Sequence, residues 1–215
     1  IAFPNPLTGD MEGQNLWLLA FFRENLSHGE LNYFYNEMIP SAKLLHALSG
    51  QLLKNGRELG AKHLMTLHDQ VWSIFPRFCN HPRDLADSFG MIAETIGRTI
   101  EENPSVRVDL IHGLSSLIHR TSGTLRYSEE LLQKFHQEYP EISGSNSMNA
   151  QDEAALEEKI NFEQSLQDRC AELRRDLDAI RPFVQNFLPL LFNVFVSQGS
   201  AEEKSALLNC IESFL

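Results

Sequence analysis

Two prolines six residues apart, Pro76 and Pro82, stand between two long amphipathic runs, with an apolar wall before them (Val71, Trp72, Ile74, Phe75) and a charged start after them (Arg83, Asp84). Proline has no backbone N–H and holds the residue before it out of the helical region, so one helix must stop and another begin within this stretch. Pro82 ends the first run or opens the second. The feature predicts a helical hairpin rather than a catalytic loop. Asp84 falls in the first turn of the second helix, where a carboxylate meets unpaired N–H groups and the positive end of the helix dipole.

The same punctuation divides the rest of the chain. Residues 16–26 have apolar positions at helical spacing and end at Ser27, His28 and Gly29. Residues 31–39 and 42–53 share one apolar stripe through Pro40, which is expected to kink or divide the helix, with Gly56 and Gly60 marking its end. Leu64, Leu67, Val71, Ile74, Phe75 and Phe78 then keep the 3.6-residue period up to the double-proline turn. Beyond it Leu85, Phe89, Ile92, Ala93, Ile96 and Ile100 fall on one face of a helix that closes at Asn103 and Pro104.

Asn103 is placed to cap the following helix, with Pro104 in its first turn and Val108, Leu110, Ile111, Leu114, Leu117 and Ile118 as its buried stripe. The polar cluster 121–124 predicts its end, and a shorter helix over 128–139 follows. Next comes a Ser/Gly-rich stretch that cannot bury a core. After it Ala155, Ile160, Phe162, Leu166, Leu173 and Leu177 are spaced for one buried side, and Arg181 and Pro182 hand over to the apolar run 183–196. Ser200 with Glu203 gives a capping-box signature for the last helix.

No stretch sustains the alternation of a strand, so the fold class is all-α. Successive antiparallel helices without a strict period predict a HEAT-like α-solenoid, with a globular bundle as the rival. The apolar last helix favours the solenoid, whose internal repeats leave a hydrophobic face for a neighbour. The expected organisation is HEAT-like repeats over 1–139, a flexible linker over 140–150, and further helices of the same solenoid over 151–215. Trp72, Phe75, Phe78, Phe89, Ile92 and Ile96 are expected to form one continuous core across the double-proline turn.

Charge narrows the function classes. With 18 Lys and Arg against 29 Asp and Glu, the formal charge of −11 makes the chain a poor non-specific ligand for a phosphate backbone, so any RNA contact must be local. Cys79, Cys170 and Cys210 are too few and too scattered for a disulfide framework and suit a reducing compartment. The run 183–196 is interrupted by Gln185, Asn186, Pro189 and Asn193 and falls short of the ~20 residues that cross a bilayer, so no membrane partner is expected. Beginning at Ile1 and finishing on apolar residues, the chain reads as an internal piece of something longer.

Few residues suggest chemistry. Cys79, His81, His112 and His119 contain zinc-type ligands, but their spacing matches no recognised finger, and packing is the simpler role for Cys79. No phosphate-binding glycine loop and no His-Glu-x-x-His occurs, and nothing activates a thiolate, so neither an enzyme nor a cofactor or small-molecule substrate is expected. Gly90 and Gly97, two turns apart, point to close helix–helix approach. Arg77, Arg83, Arg98, Arg107, Arg120 and Arg126 gather in the middle of an acidic chain. Of these Arg77, Arg83, Arg120 and Arg126 are the candidate contacts for RNA or an acidic partner, the alternative being a solvated edge. Glu153, Glu157, Glu158 and Glu163 form an acidic face, solvated or set against a basic protein.

The block from Trp72 to Asp84, followed by Ser88, Phe89, Ile96 and Gly97, resembles the ribosomal RNA processing protein 12 family. The segment His28 to Phe34 with Glu37, Met38, Ile39 and Pro40 is similar to the family's preceding repeat, and Asn186 to Asn193 to its following one. The resemblance implies a long nucleolar and nuclear HEAT-repeat scaffold with no catalytic residues. Its implied work is ribosome biogenesis: small-subunit precursor assembly, rRNA processing and nuclear export of pre-ribosomes, with shuttling to the cytoplasm. The implied partners are pre-ribosomal particle proteins, pre-rRNA through the full-length chain, and Ran or karyopherins. A karyopherin-like transport adaptor binding Ran or cargo is the alternative that the fold leaves open.

Overall fold

The computed structural model describes residues 30–80, 82–139, 150–197 and 199–215, with side chains in the third span from Leu156 onward. The expected helix over 16–26, almost all of the expected linker, His81 and the side chains of Glu153 and Ala155 lie outside these residues. The elements are α1 (Leu31–Tyr33), a π-helical turn (Phe34–Met38), α2 (Ile39–Lys54), α3 (Glu58–Ser73), α4 (Phe75–Phe78), α5 (Leu85–Glu102), α6 (Arg107–Glu138), α7 (Ala150–Ile180), a 3-10 turn (Arg181–Phe183), α8 (Val184–Val196) and α9 (Ala201–Phe214). No strand occurs among the described residues.

Cross-helix bonds give the register of the stack. Asp84 at the start of α5 accepts from the backbone N–H of Leu31 and Asn32, at separations of 53 and 52 residues. The start of α5 meets the end of α7 at separations of 90 (Ala86 with Asp176) and 88 (Asp87 with Arg175). α6 meets α9 at separations of 96 (Arg107 with Glu203) and 98 (Ser115 with Ser213). Arg107–Glu203 and Ser115–Ser213 advance together along both chains, so α6 and α9 are parallel neighbours, and Gly90 against Phe183 with Gly97 against Phe187 gives α5 and α8 the same sense. α5 meets α1 at its start on one side and packs on the end of α7 with α8 on the other, while α6 runs alongside α9 in a second layer. Short connections make the partners within each layer pair antiparallel, as a HEAT-type stack requires.

The core follows this register. Trp72, Phe75, Phe78, Phe89, Ile92 and Ile96 lie in one buried cluster with Leu31, Phe34, Leu110 and Leu114. Phe34 meets the rings of Trp72, Phe75 and Phe78 at 5.0–5.8 Å between centroids. Phe89 reaches the next layer pair through Phe183 and Phe187.

Several local expectations change. Pro40 neither divides nor ends its helix; the π-helical turn directly before it widens the chain where proline cannot donate. Gly60 lies inside α3, and Gly56, at φ +70°, makes the turn. Asp84 gives its own helix no side-chain cap to a backbone N–H; its carboxylate caps α1 and also accepts from Ser88 Oγ of α5 (2.7 Å). Asp84→Ala strips the acceptor from all three donors and should cost about 1–2 kcal/mol in urea denaturation, with Asp84→Asn, which keeps one acceptor oxygen, losing less.

α6 begins at Arg107 rather than beside Asn103, whose side chain accepts from Ser105 instead. Nor does it stop at 121–124. Thr121, Ser122 and Ser128 turn their hydroxyls onto the carbonyls of Leu117, Ile118 and Thr124, so they leave the backbone ladder intact, and the expected shorter helix over 128–139 is the continuation of α6. Its second half pairs with α7 in antiparallel register: Glu129 with Arg174, His136 with Glu163, Phe135 with Phe162. This hairpin lies outside the main core cluster, which is why Ile160 and Phe162, expected to be buried, are 45% exposed.

Gly90 and Gly97 face the rims of Phe183 and Phe187 at ordinary contact distance rather than another backbone. The close approach is at Gly113, where an added Cβ would sit 2.7 Å from the ring of Phe75. The helical run Leu156–Val196 includes a stretch of mean hydropathy 1.3, apolar enough by composition to cross a bilayer, of which 22% is buried. Here Phe187, Leu191 and Val194 of that stretch are core residues, with Phe187 stacked on Phe214 at 5.7 Å. Phe192 and Val196 stay uncovered.

Candidate functional site

The four candidate arginines are held by different elements. Arg77 is half-buried on α4, Arg83 is exposed in the turn before α5, and Arg120 and Arg126 are exposed on α6. Arg120 donates to Ser116 Oγ at 3.1 Å, and among the described residues none of the four enters an ion pair. Six positions on a helix advance about 9 Å and turn about 240°, so Arg120 and Arg126 leave α6 from different faces. The structure therefore does not gather the four into one patch.

Arg83 lines a cavity of about 200 Å³ with Thr121, Arg169, Glu172 and Asp176, two arginines and two acidic residues of which Arg169 and Glu172 pair with each other. Asp176 accepts from Ala86 N–H (3.1 Å) and so caps α5 from α7. Burial pushes its carboxyl up to about 6; the Ala86 bond and the charges of Arg169 and Arg175 oppose that rise, and Glu172 adds to it. A carboxyl that binds its proton more readily folded than unfolded gives stability that is greatest at low pH and lost as pH rises from about 4 through about 6. Asp176→Asn, which still accepts from Ala86, should raise Tm at neutral pH, with the gap between the two proteins closing as pH falls below about 5 in a thermal-melt series.

The other two arginines have structural partners. Arg98 pairs with Glu94 on the surface, whereas Arg107 is buried and donates to Ile100 O (2.6 Å), Glu101 O (3.1 Å) and the Glu203 carboxylate (2.5 Å). Ser200 Oγ does accept from Glu203 N–H, but the Glu203 side chain goes to Arg107, so the capping box is half formed. Of the acidic face, Glu157 and Glu158 are exposed and Glu163 pairs with His136.

The zinc-type residues are not brought together. Cys79 is fully buried, its thiol held well above its ordinary value by desolvation, while His112 and His119 are exposed. No cluster able to hold a metal occurs among the described residues. Cys210 is also a packing residue, pushed up to about 12 by burial.

A second cavity, of about 410 Å³, opens where α2 and α5 diverge over α3. The start of α5 touches α1, where Asp84 meets Leu31, and the π-helical turn and Pro40 lie between that contact and the open end. Lys43 and His46 line one wall, Arg98 and Thr99 the other, with His68 and Trp72 at the base. Trp72 Nε1–H donates to His68 Nε2 (3.2 Å), leaving the His68 Nδ1–H for Asp69 (2.8 Å). Sequence reasoning missed this cleft, because Lys43 and His46 look like single polar residues on a solvated face and their partners lie 50 residues away.

The double-proline turn and the repeats on either side of it lie within a known family pattern. A family model described as Ribosomal RNA-processing protein 12, HEAT repeats, matches residues 4–198. The chain belongs to that family. It is 26% identical over 203 residues to an RRP12-like protein of Gallus gallus, covering 93% of this chain and 12% of that protein. An RRP12-like protein of Homo sapiens is 34% identical over 102 residues, which is 47% of this chain and 8% of the human one. Ribosomal RNA-processing protein 12 of Saccharomyces cerevisiae is 24% identical over 200 residues, 93% of this chain and 14% of the yeast protein. The chain thus spans a small fraction of the length of these relatives. The family match runs from before α1 to the end of α8, so all three members of the α2–α5–α8 layer lie within the ribosomal RNA-processing protein 12 repeats.

Proposed function

We propose that this segment is a non-enzymatic docking element of a ribosome-biogenesis scaffold, supporting small-subunit precursor assembly, rRNA processing and export of pre-ribosomes. Family membership carries the reading, and the rRNA-processing names of the relatives supply the process. The groups with displaced acidity owe it first to burial, Cys79 and Cys210 inside the helix packing and Asp176 where it caps α5. A stacked helical array offers long surfaces for protein and RNA. Its place is the nucleus and nucleolus, with shuttling to the cytoplasm as pre-ribosomes leave. Pre-ribosomal proteins are its partners, and pre-rRNA meets the arginines Arg77, Arg83, Arg120 and Arg126.

Generic RNA should bind weakly to a chain of charge −11 and lose affinity as salt rises, because phosphate contacts release counterions. Arg77→Ala with Arg83→Ala should flatten the log–log salt dependence by about 1 per lost contact. Tight RNA binding that this double substitution leaves unchanged removes the arginine assignment.

A further inference from the structure

We infer that the cleft between α2 and α5 binds one unpaired nucleotide of single-stranded RNA, its base against His46 and its phosphate between Lys43 and Arg98. The inference rests on the reading that this segment meets pre-ribosomal RNA, and it adds a site separate from the outer arginines.

The wall is already ordered. The His68 ring is fixed by Asp69 and Trp72, and the exposed ring of His46 lies 5.6 Å from it, tilted by 51°. An exposed aromatic ring beside an ordered wall can act as a stacking platform for a base, which single-stranded RNA can splay out and a duplex cannot. Arg98 faces it across the cleft, and its present partner Glu94 is a surface pair at the cost scale of exposed ion pairs, so exchange for phosphate is cheap. Lys43, one turn before His46 on the same face, supplies the second cation.

The remaining lining suits the donors that a nucleotide carries. Thr99 Oγ1 donates to its own Thr95 carbonyl (2.8 Å) and keeps lone pairs to accept. Glu102, the cleft's one carboxylate, repels any anion and so leaves the phosphate to Lys43 and Arg98, while it can accept a ribose hydroxyl or a base N–H. A volume of about 410 Å³ limits occupancy to a unit of nucleotide size. Contact is therefore local, as an acidic chain requires.

Fluorescence anisotropy with a labelled eight-nucleotide single-stranded RNA of mixed sequence, across a salt series, tests this on the 215-residue chain. His46→Ala should weaken binding roughly 5–150-fold, the range for losing one stacked base. Lys43→Ala with Arg98→Ala should weaken it further and flatten the salt dependence, and the same sequence as a duplex should not compete. All three side chains are exposed, and circular dichroism confirms that the variants remain folded. Binding that survives these substitutions but is lost in Arg77→Ala with Arg83→Ala overturns the cleft while leaving the outer-arginine reading standing. Absence of binding at the lowest salt overturns it too, as does binding of an alternating Glu-Leu peptide that the RNA does not displace.

Discussion

Phe89→Ala should lower stability by about 3–5 kcal/mol, the range for truncating a buried aromatic residue. Phe89 is 1% exposed and sits where three elements meet: its ring is edge-on to Phe183 at 5.4 Å and tilted against Phe187 at 6.4 Å. Removing it opens a cavity between α5 and its parallel neighbour, which two flanking helices held in register cannot readily fill. Urea denaturation should show the midpoint shifted with the slope unchanged. A loss under about 1 kcal/mol would mean that the α5–α8 contact contributes little to holding the stack together.

Glu203→Ala should cost about 3–5 kcal/mol through a different mechanism, because it leaves the Arg107 guanidinium buried without its counter-charge. The two side chains are 8% and 13% exposed, and they tie the start of α6 to the start of α9. Arg107 keeps its bonds to the Ile100 and Glu101 carbonyls, which satisfy donors but not charge. Replacing both partners with apolar residues, Arg107→Met and Glu203→Leu, should recover much of the loss. Equal destabilisation in the single and double variants, measured by thermal and urea unfolding, would show that packing rather than pairing governs this contact.

The sequence made the helices of the first two repeats legible where periodicity and burial agree. In α5 all six stripe residues from Leu85 to Ile100 are buried, because the helix is covered from several sides and has a single apolar face. Failures came where a polar residue had two possible uses. Thr121 and Ser122 read as a break because such side chains often compete with the backbone, but here they bond back to the carbonyls one turn earlier. Asp84 and Glu203 read as local caps, yet each spends its carboxylate on an element far along the chain, and no local pattern encodes that partner. Gly113 was passed over because its role depends on where Phe75 lands.

The candidate site divides in the same way. Arginine type and exposure are legible at Arg83, Arg120 and Arg126, but whether they share a face depends on helix azimuth and on α6 being one unbroken helix. The α2–α5 cleft joins residues some 50 positions apart, a proximity that becomes visible only once α1 is seen capped by Asp84.

The most direct test of the scaffold account is sedimentation of a tagged full-length family protein containing this segment from nuclear extract, with rRNA and protein identified in each fraction. The account predicts co-sedimentation with large particles that carry small-subunit precursor rRNA, weakened when Lys43→Ala, Arg98→Ala, Arg77→Ala and Arg83→Ala are combined. Recovery only in light fractions, bound to Ran in a nucleotide-dependent manner and free of rRNA, would contradict it and assign the helices to transport instead.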